Sequence, residues 1–127
     1  MNPKKIFLMD PGFIALTDDF SENRGRILEN VVAIELYRRR QTFHYYKNRW
    51  ECDFIVRDAD AVNLQAIQVC CTLTAGNRER ELRGLLAVME KLSLPRGLIL
   101  TYDEEESLPA APGRQITVMP VWKWLLI

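Results

Sequence analysis

The chain has 127 residues, 48% hydrophobic and 27% charged, enough apolar material for one domain with one core. Its 17 Lys and Arg balance 17 Asp and Glu, so no global field draws it to nucleic acid or membrane, and such binding needs a local patch. No apolar run approaches the ~20 residues of a membrane-crossing helix, and the opening MNPKKIFLMDPGF is not a signal peptide.

Three cysteines, Cys52, Cys70 and Cys71, lie in apolar runs, and two are adjacent. An odd number so placed reads as reduced, buried thiols of a cytoplasmic protein, not a disulfide framework. His44 is the single histidine and no CxxC pair exists, which argues against structural zinc.

In chain order, KIFLM (5–9) predicts a short strand closed by the turn Asp10-Pro11-Gly12. GFIAL suggests a helical turn, and TDDFSENR (17–24) a polar loop. Gly25 to Arg40 is helical in spacing, with Leu28, Val32, Glu35 and Leu36 on one face and three arginines at the negative end of its dipole. TFHYYK (42–47), WECDFIV (50–56) and VNLQAIQVCCTL (62–73) predict a three-stranded meander. Asn77 is placed to cap a second helix whose apolar stripe is Leu82, Leu85, Leu86, Met89 and Leu92, with Pro95 as its stop. GLILTY (97–102) reads as a strand buried on both faces. DEEES and PAAPG read as loop, QITVMPV (115–121) as an edge strand because Pro120 cannot donate to a ladder, and VWKWLLI as a docked tail.

Strand alternation puts Glu51, Asp53 and Ile55 on one face and Cys52, Phe54 and Val56 on the other. Gln68 and Cys70 share a face of the next strand. A meander sets Asp53 beside Gln68, and the first helix can aim Glu29 at both. Two carboxylates and an amide oxygen are a hard-oxygen nest suited to Mg²⁺, which activates water at phosphoryl centres.

GRILEN, ECDFIV and AIQVCC, on helix, strand and strand, resemble the PD-(D/E)XK nuclease superfamily. The resemblance implies a metal site of a helix Glu, a strand Asp and a (D/E/Q)-x-K tripeptide, which carries over to Glu29, Asp53 and Gln68, with Cys70 where the family has its lysine. NPKKIFLMDPGF, GRILENVVAIEL, YYKNRWECDFIV, IQVCCTL, NREREL and VMPVWKWLL, covering nearly the whole chain, resemble the DUF4143-like C-terminal domain of bacterial and archaeal AAA-type P-loop ATPases. That resemblance implies one nuclease-like domain over 1–127, with 1–24 as a prefix, forming the C-terminal part of a longer ATPase. No G-x-x-x-x-G-K-[ST] stretch is present, so this chain has no Walker A site for ATP.

The departures from the family pattern weaken catalysis. A neutral thiol at Cys70 is a weak donor and no cation. Gln68 brings no charge to the metal nest, so Mg²⁺ binding should be weak; Lys47 or Arg49 is open as a migrated cation. Each residue also has a plainer reading. Asp53 suits a solvated strand or a pairing with Arg57 or Lys47, and Glu29 a solvated helix, with Glu35 its rival on the apolar face. Cys70 and Cys71 suit inert buried thiols; Trp122 and Trp124 suit core or interface anchors. Arg24, Arg26, Arg38, Arg39, Arg40, Lys47 and Arg49 make the 24–49 stretch basic enough to follow a nucleic-acid backbone, or simply solvated.

The expected fold is α/β, restriction-endonuclease-like, a mixed central sheet flanked by helices in the order helix-strand-strand-strand-helix-strand-strand. The expected function is a degenerate domain for nucleic-acid or partner binding, with an active Mg²⁺-dependent nuclease as the alternative. The partners implied are the ATPase module of the same longer protein and nucleic acid, with no membrane; a homo-oligomer stays open.

Overall fold

The computed structural model describes residues 21–47, 49–58, 60 and 63–127. The strand expected at 5–9, the helical turn after it and the first half of the expected 17–24 loop lie outside these residues. The helix α1 runs Ser21–Arg38, so residues 21–24, expected as loop from their polar composition, form its first turn. The meander follows as β1 (Thr42–Lys47), β2 (Glu51–Arg57) and β3 (Leu64–Val69). Then come α2 (Arg78–Lys91), β4 (Arg96–Thr101), β5 (Glu106–Ala111), β6 (Arg114–Pro120) and α3 (Val121–Leu125).

Six strands form one mixed sheet in the order β1-β2-β3-β4-β6-β5. The pairs β1/β2, β2/β3 and β5/β6 are antiparallel; β3/β4 and β4/β6 are parallel. The sheet has apolar residues on both faces, so it must be covered on both. On one side α1 and α3 pack Val32, Leu36, Val121 and Trp124 against Phe54, Ile67, Leu98 and Leu100. On the other, α2 packs Leu85, Val88 and Met89 against Ile55, Ala66, Ile99, Ile116 and Val118. This is a mixed α/β fold with a six-stranded sheet between helices. None of the described helices is long and apolar enough to cross a membrane.

Three local expectations are corrected. DEEES (103–107) and PAAPG (109–113) are not all loop: Glu106–Ala111 is β5, and it is this strand that lies at the edge. Consequently β6 is not an edge strand; it lies between β4 and β5, and Pro120 is its last residue, where a missing N–H costs least. Asn77 does stand at the start of α2, but its side chain caps nothing there. Its Oδ1 accepts the Thr74 N–H at 2.8 Å and its Nδ2 donates to the Thr72 carbonyl at 2.9 Å, closing the turn that leads in.

The expected tail is α3, docked as expected. Trp124 is buried under α1, where the Arg39 guanidinium lies 4.6 Å from its ring centroid. Arg39 also donates to the Trp124 carbonyl at 3.1 Å and the Ile127 carbonyl at 3.3 Å, tying the end of α1 to α3.

Candidate functional site

The pairing of β2 with β1 slips once. His44 faces Ile55, but Tyr46 faces Cys52, so β2 carries one extra residue at Asp53–Phe54. Such a bulge reverses the alternation of side chains beyond it. Cys52 therefore joins Ile55 in the core under α2 and does not face the same way as Phe54 and Val56, as simple alternation predicts.

On its other side, β2 pairs with β3 only from Arg57↔Leu64 to Phe54↔Ile67. Beyond that point side chains replace the backbone ladder. The Gln68 Oε1 accepts the Asp53 N–H at 2.7 Å, and its Nε2 donates to the Glu51 carbonyl at 2.9 Å and the Glu81 carbonyl of α2 at 3.2 Å. In return Asp53 Oδ2 accepts the Val69 N–H at 2.9 Å. Asp53 and Gln68 thus stand side by side, and their polar atoms close the gap between two splayed strands. With one N–H on its oxygen and two carbonyls on its nitrogen, the Gln68 amide has a single workable orientation.

The splay opens a cleft of about 320 Å³, lined by Arg49, Trp50, Glu51, Asp53, Gln68, Arg80 and Glu81. It is roofed by α2, which approaches closely because Gly84 has no side chain. A Cβ there would stand 1.8 Å from the Glu51 carbonyl oxygen. Glu81, on the inward face of α2 with Leu85 and Val88, is a site residue that sequence reasoning missed. Its i, i+4, i+7 relation to two fully buried residues was the available signal. Burial first, and then the Asp53 charge, push its carboxyl up to about 7, with Glu29 adding to the effect against the opposing Arg80. Carboxylates from α1 and β2 therefore act on Glu81 of α2 at this end of the sheet. Tyr45 on β1 completes the acidic side: burial and then a hydrogen bond to Glu51 hold its hydroxyl well above the usual tyrosine range. Among the described residues no three His, Cys, Asp or Glu side chains converge closely enough to hold a metal ion.

Arg80, Arg49 and Trp50 form the rim. Arg83 and Arg49 lie 5.1 Å and 5.9 Å from the Trp50 ring centroid, so α2 and the β1–β2 link meet around one aromatic. A second groove, of about 610 Å³, shares Arg80 and Glu81 and continues past Arg24, Cys70, Cys71 and Asn77.

Cys70 is buried, its thiol pushed up to about 11 by burial and then by the Glu81 charge, so it is neutral and a poor nucleophile. Lys47 lies 3.5 Å from Glu51, and Arg49 is at the cleft itself. Glu35, the rival acid on α1, is held at about 2 by Arg38, against the cost of burial, with help from Arg39. Its carboxylate takes Arg38 Nε at 2.8 Å and Arg39 Nε at 2.7 Å, far from the cleft in role: it ties the end of α1 to α3. The basic stretch is thus divided, with Arg38 and Arg39 serving Glu35 and Arg24 and Arg49 lining the grooves.

Residues 24–124, nearly the whole described region, match the family described as Domain of unknown function (DUF4143). The chain belongs to that family. It is also 33% identical, over 96% of its length, to the uncharacterised protein MJ1544 of Methanocaldococcus jannaschii. This DUF4143 chain spans only 29% of that relative's length, so the relative is a longer protein. No solved structure matches the chain.

Proposed function

We propose that this DUF4143 chain is a restriction-endonuclease-like domain of an AAA-type ATPase that keeps its cleft for binding nucleic acid and has lost hydrolysis. One observation carries the reading. Two of the three side chains at the metal positions implied by the resemblance, Asp53 and Gln68, hydrogen-bond to the protein's own backbone. As placed, Asp53 and Gln68 are poor ligands for a divalent cation. The Gln68 oxygen is taken by the Asp53 N–H, and one Asp53 oxygen by the Val69 N–H. The position of the usual lysine holds the neutral thiol of Cys70. Arg49 and Arg80 on the cleft rim, with Arg24 along the adjoining groove, suit phosphate contacts that need no metal. The greater length of the relative leaves room for an ATPase module beside this domain in a longer protein.

A second reading, an active Mg²⁺-dependent nuclease, is favoured by the Asp53 and Glu29 charges that act on Glu81. Calorimetric titration with Mn²⁺ and Mg²⁺ separates the two, paired with fluorescence anisotropy on short labelled duplex and single-stranded DNA. The binding reading expects no metal isotherm at millimolar concentration. It expects DNA affinity that falls with added salt, and a salt slope shallower by about 1 for each arginine removed in Arg49→Ala and Arg80→Ala. A metal isotherm abolished by Asp53→Asn, with cleavage in Mn²⁺, would establish the nuclease instead. Absence of DNA binding at low salt would sink the binding reading.

A further inference from the structure

Trp50 is half-buried, yet it belongs to neither apolar core of the fold. Core packing does not account for so large an aromatic at the mouth of the cleft. The Arg83 and Arg49 guanidiniums lie over its ring and hold it there. Trp50 also borders a further cavity, of about 390 Å³, lined by Tyr46, Arg49, Trp50, Ala87, Glu90 and Lys91. That volume falls within the range of small-ligand sites, roughly 300–1,000 Å³. The cleft shares Arg49 and Trp50 with this cavity and Arg80 and Glu81 with the groove on its other side, so the three adjoin in a row.

The walls of the further cavity combine aromatic rings with cations. Lys91 Nζ lies 5.2 Å from the Tyr46 ring centroid and donates to its hydroxyl at 3.3 Å. Arg80, Arg83, Ala87 and Lys91, at i, i+3, i+7 and i+11, form one stripe of α2 about 16 Å long. Two of its cations are already matched, Arg83 by Glu79 at 2.5 Å and Arg80 by Glu81 at 3.5 Å. Arg49 and Lys91 form no ion pair among the described residues, and the acid that shares their cavity is Glu90. The positive charge left for a ligand thus sits beside the two rings. Every nucleobase has a π-face that stacks on an aromatic side chain, but in a duplex both faces are covered by neighbouring pairs. Rings with adjacent unmatched cations therefore suit an unpaired base and its flanking phosphates.

Resting on the nucleic-acid reading of the cleft, we propose that the strand bound there is single. One base leaves the stack and enters the further cavity against Trp50, and Arg49 and Lys91 take the phosphates on either side of it.

Fluorescence anisotropy of the 127-residue chain at low salt tests this with three labelled probes. They are an oligothymidylate of about 15 nucleotides, an abasic strand of the same length, and a duplex of the same length. The oligothymidylate should bind about five- to hundredfold tighter than either of the others. Trp50→Ala should reduce its affinity to that of the abasic strand, and Trp50→Phe should keep most of it. Lys91→Gln should weaken the oligothymidylate and the abasic strand alike. An abasic strand or a duplex bound as tightly as the oligothymidylate overturns the base site and leaves the cleft a phosphate binder. No binding of any probe overturns the cleft reading and this inference with it. The probe comparison uses the unaltered chain, so it decides even where Trp50→Ala fails to fold, which circular dichroism reports. An oligouridylate arm separates the sources: tighter binding than oligothymidylate supports the site with RNA as its strand, weaker binding supports it with DNA.

Discussion

A methyl group on Gly84 would stand 2.7 Å from Gln68 Nε2 as well as against the Glu51 carbonyl. A glycine within a helix costs about 1 kcal/mol relative to alanine. Here it lets the α2 backbone reach Gln68, whose amide replaces the missing ladder between β2 and β3. Gly84→Ala, which raises helix propensity, should therefore destabilise the protein by about 1–3 kcal/mol in urea unfolding. A more stable variant would mean that α2 does not need this close approach. Glu81 supplies a second test at the same site. Its folded value of about 7 lies above the ordinary 4.5, so between those values the folded chain holds a proton that the unfolded chain has released. Stability must fall as pH rises through that window and level off above it. Glu81→Gln removes the titration without changing shape. The variant should match wild type near pH 4.5 and exceed it above pH 7 by roughly 2–3 kcal/mol. A constant difference across the range would show that Glu81 titrates normally.

Elements end and bend here for reasons that periodicity does not carry. Pro95 was the visible stop for α2, yet the helix finishes at Lys91, and Ser93 adopts φ 55°, in the left-handed region. The Leu94 N–H then closes back on the Met89 carbonyl at 2.8 Å, burying Leu94 against the core. Arg40 at φ 58° does the same for α1, with the Gln41 N–H on the Leu36 carbonyl at 3.0 Å. Glycine adopts this conformation without strain, so Ser93→Gly, at an exposed position, should stabilise the fold by about 0.5–1 kcal/mol, readable in thermal unfolding. A loss of stability would show that the Ser93 side chain contributes more than its backbone strain costs. The rule that proline marks an edge strand held, but the edge was misassigned. ESLPAA looks like loop by composition, and only pairing with β6 makes it β5.

At the scale of the molecule, the site is a product of sheet order. Running β3 parallel to β4 requires a crossover, and α2 supplies it on one face, while α1 and α3 cover the other. The cleft opens where β3 ends and the chain turns into α2, the place where open α/β sheets leave a crevice beyond their strand ends.

Much of this was legible along the chain. Alternation in TFHYYK and ECDFIV, turn residues between them and 3.6-residue spacing around Leu85 are local signals, and local sterics read them one way. They determined the meander, both long helices, the buried β4, and the neighbouring positions of Asp53 and Gln68. What local signals cannot carry is long-range pairing. The bulge that turns Cys52 into the α2 core, the insertion of β6 between β4 and β5, and the burial that makes Glu81 hold its proton all depend on segments far apart in sequence. Tertiary structure decided them, because each energy arises only once two distant surfaces have excluded water from between them.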